Sequence, residues 1–427
     1  MEDYLKINYE KYKLANGLEV ILYQDKNLPL VGVNIWYRVG SANEKEGKTG
    51  YAHLFEHMMF QGSKNIPKQM HFQYVQEAGG NLNGSTSLDR TNYFETVPSN
   101  FLEMALWLES DRMGFLLEAL DQEKLNNQID VVKNERRQRY ENAPYGLAWE
   151  ILFSDLYPPD HPYHWPTIGW MKDISNISLD DVKYFFQTYY SPNNACLVVG
   201  GDFNIDETKN LIEQYFGTIP RGEDISNITT DNIHLEKNIL VVHEDNVQLP
   251  RIYITWHSTK AFSEEDAVMD ILADILGGSK NSRIQKSLVF EKEIAQQVSI
   301  FQHSSRLNGC FIIVATAKPG VPLDQIKNEI FNEINKLIEN GITDNELTRS
   351  KNGIKSSFIY SMQNLENMVD RINEYNFYLG EPDYFIKDLE RYQKITDENV
   401  KQAAAKYLQQ PYVELKIIPK NGMEMKG

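Results

Sequence analysis

The chain has 427 residues, with 43 Lys and Arg against 60 Asp and Glu for a formal charge of −17, and 41% of its residues are hydrophobic. That length makes roughly two to four domains, and the balance of apolar and charged residues belongs to a folded protein, not a disordered or fibrous one. The charge argues against nucleic acid as the main partner, because phosphate binding needs clustered basic surface and the Lys and Arg here are scattered; a cationic peptide fits it weakly. The opening stretch MEDYLKINYEKYKLANGLEV has neither the basic nor the apolar segment of a signal peptide. No run of about 18 apolar residues occurs either, so no membrane partner is expected. Cytoplasmic residence is the default expectation, periplasmic if a signal has been removed.

Residues 27–37, NLPLVGVNIWY, read as a strand rich in β-branched and aromatic residues. Next comes YAHLFEHMMF, residues 51–60, with helical spacing. On a helix Tyr51, Leu54, Phe55, Met58 and Met59 share one apolar face, while His53, Glu56 and His57 share the other. The i, i+4 spacing sets two imidazoles one above the other, as a single tetrahedral metal requires of one helix. Glu56 lies close enough to act on a water at that metal. His-x-x-Glu-His is the inverted form of the zinc protease helix motif, and a core histidine would sit on the apolar face instead.

A catalytic zinc needs a third protein ligand and an open position. The helical stretch EKLNNQIDVVKNERRQRYE, residues 123–141, has Leu125, Ile129 and Val132 as its apolar stripe. Gln128 and Glu135 stand two turns apart along its edge, and Glu123, Asp130 and Glu141 lie elsewhere around it. Spacing alone makes Glu135 a favoured candidate and no more, since a charge at a helix edge is usually solvated. Further on, His161 and His164 fall in the Pro-rich segment DHPYH, which reads as an exposed loop with no second metal site. The two cysteines, Cys196 in ACLVVGG and Cys310 in GCFIIVATA, sit in apolar strand-like runs and read as buried thiols; the count excludes a disulfide framework.

The chain is internally repeated. ISLDDVKYFFQTYY, residues 177–190, precedes an apolar strand from Ala195 to Gly201, and ITDENVKQAAAKYL, residues 395–408, precedes another from Val413 to Ile418. Ser178 and Thr396 are the expected N-caps of the two helices. NLPLVGVNIWY is matched in turn by QLPRIYITWH, residues 248–257, at nearly the same offset. The fold class expected is α+β: an N-terminal metal-binding domain over 1–217, a polar linker over 218–237, and a homologous C-terminal domain without metal over 238–427.

These motifs, in order, carry a resemblance. His53-Leu54-Phe55-Glu56-His57, then Gly79-Gly80-Asn81-Leu82-Asn83-Gly84-Ser85-Thr86, then Val131-Val132-Lys133-Asn134-Glu135-Arg136-Arg137 resemble the pitrilysin and insulysin family of zinc metallopeptidases. Their likeness is to the short bacterial members akin to mitochondrial processing peptidase. The resemblance implies two α/β-sandwich domains forming one half of a clamshell, one Zn2+ per chain on His53, His57 and Glu135, and Glu56 as general base. It implies a zinc-dependent endopeptidase acting on peptides or small unfolded polypeptides inside a chamber formed with a second subunit. The alternative is a non-catalytic scaffold or partner-binding subunit of the same fold.

Departures from the family pattern matter too. Where a second glutamate often precedes the ligand glutamate by seven residues, this chain has Gln128, which cannot titrate. Residues 80–86 resemble the family's edge strand, on which a substrate pairs as an added strand, with Asn83 as the expected polar contact. In the second half, Gly277-Gly278-Ser279-Lys280-Asn281-Ser282-Arg283-Ile284 resembles the segment that supplies a substrate-holding arginine, making Arg283 its counterpart. Gln296 stands where the accompanying tyrosine is expected. A surface salt bridge is an equally good reading of Arg283. The incomplete pair favours the zinc subunit of a heterodimer, with a homodimer as the alternative.

Overall fold

The computed structural model describes residues 5–231 and 233–420. Eleven strands among them form two sheets. The first sheet contains β1 (Tyr9–Lys13), β2 (Glu19–Gln24), β3 (Leu30–Tyr37), β4 (Asn81–Thr86), β5 (Thr91–Pro98) and β6 (Ala195–Gly201), in the order β1-β2-β6-β3-β5-β4. The second contains β7 (Ile239–Asp245), β8 (Arg251–Ser258), β9 (Ala295–Ser304), β10 (Gly309–Ala317) and β11 (Val413–Pro419), in the order β7-β11-β8-β10-β9.

The repeat is visible in the pairing. In each sheet a parallel pair, β2 with β6 or β7 with β11, is followed by three antiparallel neighbours in the same order. The first sheet adds β1 at its far edge. Both helices that lead into β6 and β11 start with the expected caps: Ser178 accepts from the Asp181 amide and Thr396 from the Asn399 amide, each with a reciprocal side-chain bond. Every residue of β6 is buried, as its continuous apolar run requires of a strand covered on both faces. Cys196 and Cys310 are buried free thiols.

Compactness does not follow chain order. One unit comprises Met1–Arg136, Trp165–Ile228 and Phe358–Ile386; the other comprises Arg137–His164, Thr229–Ser357 and Lys387–Gly427. In the first unit the helix Leu365–Leu379, from late in the chain, lies on β3, β5 and β6. Its Asp370 Oδ1 accepts from Asn34 Nδ2, Trp36 Nε1 and Asn92 Nδ2 at 3.0, 2.8 and 2.9 Å. In the second unit the helix Ala148–Leu156, from early in the chain, packs on β8 and β11. The opposite face of that sheet holds the core, where Ile252, Ile254, Trp256, Phe311 and Ile313 meet the helices Asp266–Gly277, Leu323–Asn340 and Asp397–Leu408. Each sheet needs a helix to cover its second face, and each receives it from the other half of the chain. Among the described residues no helix is long and apolar enough to cross a membrane.

Candidate metal centre

The helix α1 (Tyr51–Met58) buries Tyr51, Leu54, Phe55 and Met58 and leaves His53, Glu56 and His57 partly accessible, on the faces that the spacing predicts. Phe55 is locked against Tyr190, with ring centroids 4.2 Å apart, and against Phe186 at 5.6 Å. Gly50 precedes the helix at φ +87, where a Cβ would stand 2.7 Å from the Ile168 carbonyl oxygen; glycine is therefore required. Glycine offers no side chain to cap the first turn. The buried Glu44 does so instead, accepting from the amides of Gly50 at 3.0 Å and Ala52 at 2.8 Å. Beside it Thr49 donates to Asp173 at 2.7 Å. The metal-motif helix thus starts from a fixed point.

After α2 (Met70–Glu77) and α3 (Leu102–Phe115), α4 (Gln122–Arg136) packs on α1 with Leu125, Ile129 and Val132 inward. That stripe rotates Glu135 toward the two histidines. Glu135 Oε2 lies 3.3 Å from His57 Nε2 and 3.7 Å from His53 Nε2, and the three donor atoms all fall within 4.8 Å of one another. Tetrahedral donors at about 2.0–2.2 Å from zinc stand roughly 3.3–3.6 Å apart, so the observed spacing and the two-nitrogen, one-oxygen chemistry fit such an ion with a position left open. Gln128, seven residues before Glu135, is buried and lines a cleft with Phe60, Gln61 and Phe72.

Glu56 lies between α1 and β4. The Thr86 hydroxyl donates to its Oε2 at 2.5 Å. Burial raises the Glu56 carboxyl above the usual carboxylate range and Glu135 adds to the push, against the pull of the Thr86 bond and His57. That direction makes the carboxylate a better proton acceptor than an exposed one.

The remaining expected residues are disposed differently. Asn83 is exposed on β4 and turns its Oδ1 back to the amide of Gly84 at 2.9 Å. Arg283 is committed within the second unit: its Nε and Nη2 donate to Glu346 at 2.6 and 2.9 Å, and Nη2 also to the Gly341 carbonyl at 2.9 Å. Gln296 is exposed on β9. His161 corrects the exposed-loop expectation, for it is only 3% exposed, stacked on Tyr157 and accepting at Nδ1 from the Tyr163 amide.

Two groups escaped the sequence. Glu44 belongs to no local cap pattern, and its only signal is the absence of any capping side chain just before Tyr51. His71, Glu95 and Glu109 also bring donor atoms within 4.8 Å of one another, all buried. Arg112 already serves as the cation of that cluster, holding both oxygens of Glu109 through Nε and Nη2 and lying 4.0 Å from Glu95. We read it as a structural ion cluster beneath the sheet.

Comparison with known proteins accords with this geometry. Residues 19–158 match the family model for insulinase (peptidase family M16), and residues 176–354 match that for the peptidase M16 inactive domain. The zinc protease PqqE of Helicobacter pylori is 34% identical over 394 residues, covering 90% of this chain and 86% of that protein. A probable mitochondrial-processing peptidase subunit beta of Arabidopsis thaliana is 21% identical over 92% of this chain and 75% of its own length. Among solved structures, a protease from Helicobacter pylori superposes with a TM-score of 0.89 at 28% identity, over 97% of this chain and 100% of that one. Pitrilysin shares the fold with a TM-score of 0.80 at 20% identity, matching 97% of this chain but 45% of its own.

Proposed function

The chain belongs to the insulinase family of peptidases, M16, and from that premise we propose that it is a zinc-dependent endopeptidase of peptides or small unfolded polypeptides. The observation that carries the reading is the meeting of His53 Nε2, His57 Nε2 and Glu135 Oε2 beside a partly buried Glu56. His53, His57 and Glu135 would hold the ion. When bound, zinc supplies Lewis acidity, polarising the scissile carbonyl and acidifying water. Glu56 accepts the proton of the attacking water and delivers it to the leaving amine as the C–N bond breaks. Among the described residues β4 is an edge strand, and its outer edge offers main-chain donors and acceptors to an extended substrate, which suits peptides of varied sequence.

Zinc analysis combined with a chelator-sensitive assay on a library of short peptides tests this. Glu56→Gln is expected to keep zinc and to lose about 10²–10⁴-fold in turnover. His53→Ala is expected to lose metal and activity together. Undiminished cleavage by Glu56→Gln would remove the assigned role, and stoichiometric zinc without cleavage, even beside a partner chain, would favour a scaffold.

A further inference from the structure

Glu56 is gripped from the strand side as well as carried by its helix. β4 is the edge strand of the first sheet, and its last residue, Thr86, donates its hydroxyl to Glu56 Oε2 at 2.5 Å. Thr86 is itself fixed, paired with Thr91 on β5. Two residues earlier, Gly84 leaves the space that the Glu56 side chain enters: a Cβ there would stand 3.3 Å from Glu56 Cγ and 3.1 Å from Tyr93 Cδ1. One face of the strand therefore makes room for the carboxylate arm and then ties one of its oxygens.

Resting on the peptidase reading, we propose that Thr86 is a positioning residue for the Glu56 carboxylate. The hydroxyl does not touch substrate. It selects one carboxyl rotamer, so that the free oxygen points at the proton it must take. A misplacement of about 1 Å in such a group costs on the order of 100-fold in rate. Because the hydroxyl belongs to the strand on which the substrate is proposed to pair, seating of the peptide and aim of the base depend on the same short element.

The test compares Thr86→Val, which keeps shape and removes the donor, with Thr86→Ser, which restores it. Thr86→Val is expected to lower kcat about 10- to 100-fold, with KM, zinc content and melting temperature close to those of the parent; Thr86→Ser should recover most of the rate. A second readout needs no turnover: crystal structures of the metal-free proteins should show the Glu56 carboxylate displaced or in several rotamers in Thr86→Val and fixed in Thr86→Ser, with His53, His57 and Glu135 unmoved. An unchanged kcat with an unmoved Glu56 would overturn the inference. So would a rise in KM at constant kcat, which would assign Thr86 to substrate holding. Absence of zinc-dependent cleavage in the parent protein would instead defeat the peptidase reading, while the crystallographic comparison would still decide what Thr86 holds.

Discussion

Arg283 and Glu346 show what a single residue means once its partner is known. Burial alone would raise the Glu346 carboxyl, but the Arg283 guanidinium and the Thr343 amide outweigh it and hold the group down to about 2. A carboxyl depressed on folding stabilises the protein fully above its unfolded value of roughly 4.5, and the contribution is lost as pH falls toward about 2. Glu346→Gln is therefore expected to cost about 1–2 kcal/mol at neutral pH, a figure kept low because the pair is partly solvated. The difference in melting between parent and variant should narrow steadily below about pH 4.5. A gap that stays constant down to pH 3 would show that the pair contributes nothing through its charge. From the sequence Arg283 was equally a substrate contact or half of a salt bridge, because its partner lies 63 residues further on. His53, Glu56 and His57 were legible for the opposite reason: their relation lies within two turns of one helix, where spacing alone fixes the face.

At the scale of elements, α1 is the case where local pattern and long-range support meet. Its faces follow from periodicity, yet its first turn depends on Glu44, a side chain that folds back from outside the helix to accept two buried amides. Glu44→Ala would leave those donors unsatisfied, at an expected cost of about 1–3 kcal/mol to the first unit. Since His53 is the third residue of the helix, a frayed first turn should also weaken zinc binding. Chelator competition and thermal melting of the zinc-loaded protein check both effects, with Glu44→Gln falling between the parent and Glu44→Ala. Loss of stability with unchanged zinc affinity would confine Glu44 to packing. The repeated helices and strands were legible because each carries its own cap and apolar run. The exchange of covering helices was not: the apolar face of Leu365–Leu379 records that it is buried, but not which sheet buries it.

For the molecule as a whole, the second half keeps the sheet, while both clusters of His and carboxylate donors among the described residues lie in the first half. Its strands repeat the order of the first sheet, while residues 176–354 match a domain described as inactive. We propose that this chain works beside a second family subunit, because the two groups expected to hold substrate are not both on offer here: Gln296 stands where the tyrosine is expected, and Arg283 is spent on Glu346 and the Gly341 carbonyl. Freeing Arg283 would leave the partly buried Glu346 carboxylate without its cation, at a cost of about 1–3 kcal/mol in every turnover. A partner carrying a free arginine and tyrosine avoids that cost and completes the site without altering this chain. The isolated, zinc-loaded protein is accordingly expected to cleave peptides weakly and to gain at least about tenfold when reconstituted with such a subunit, at a stoichiometry measurable by sedimentation. Vigorous cleavage by the purified chain alone, sedimenting as a symmetric dimer, would reject the heteromeric arrangement and place the whole substrate grip in two copies of this one sequence.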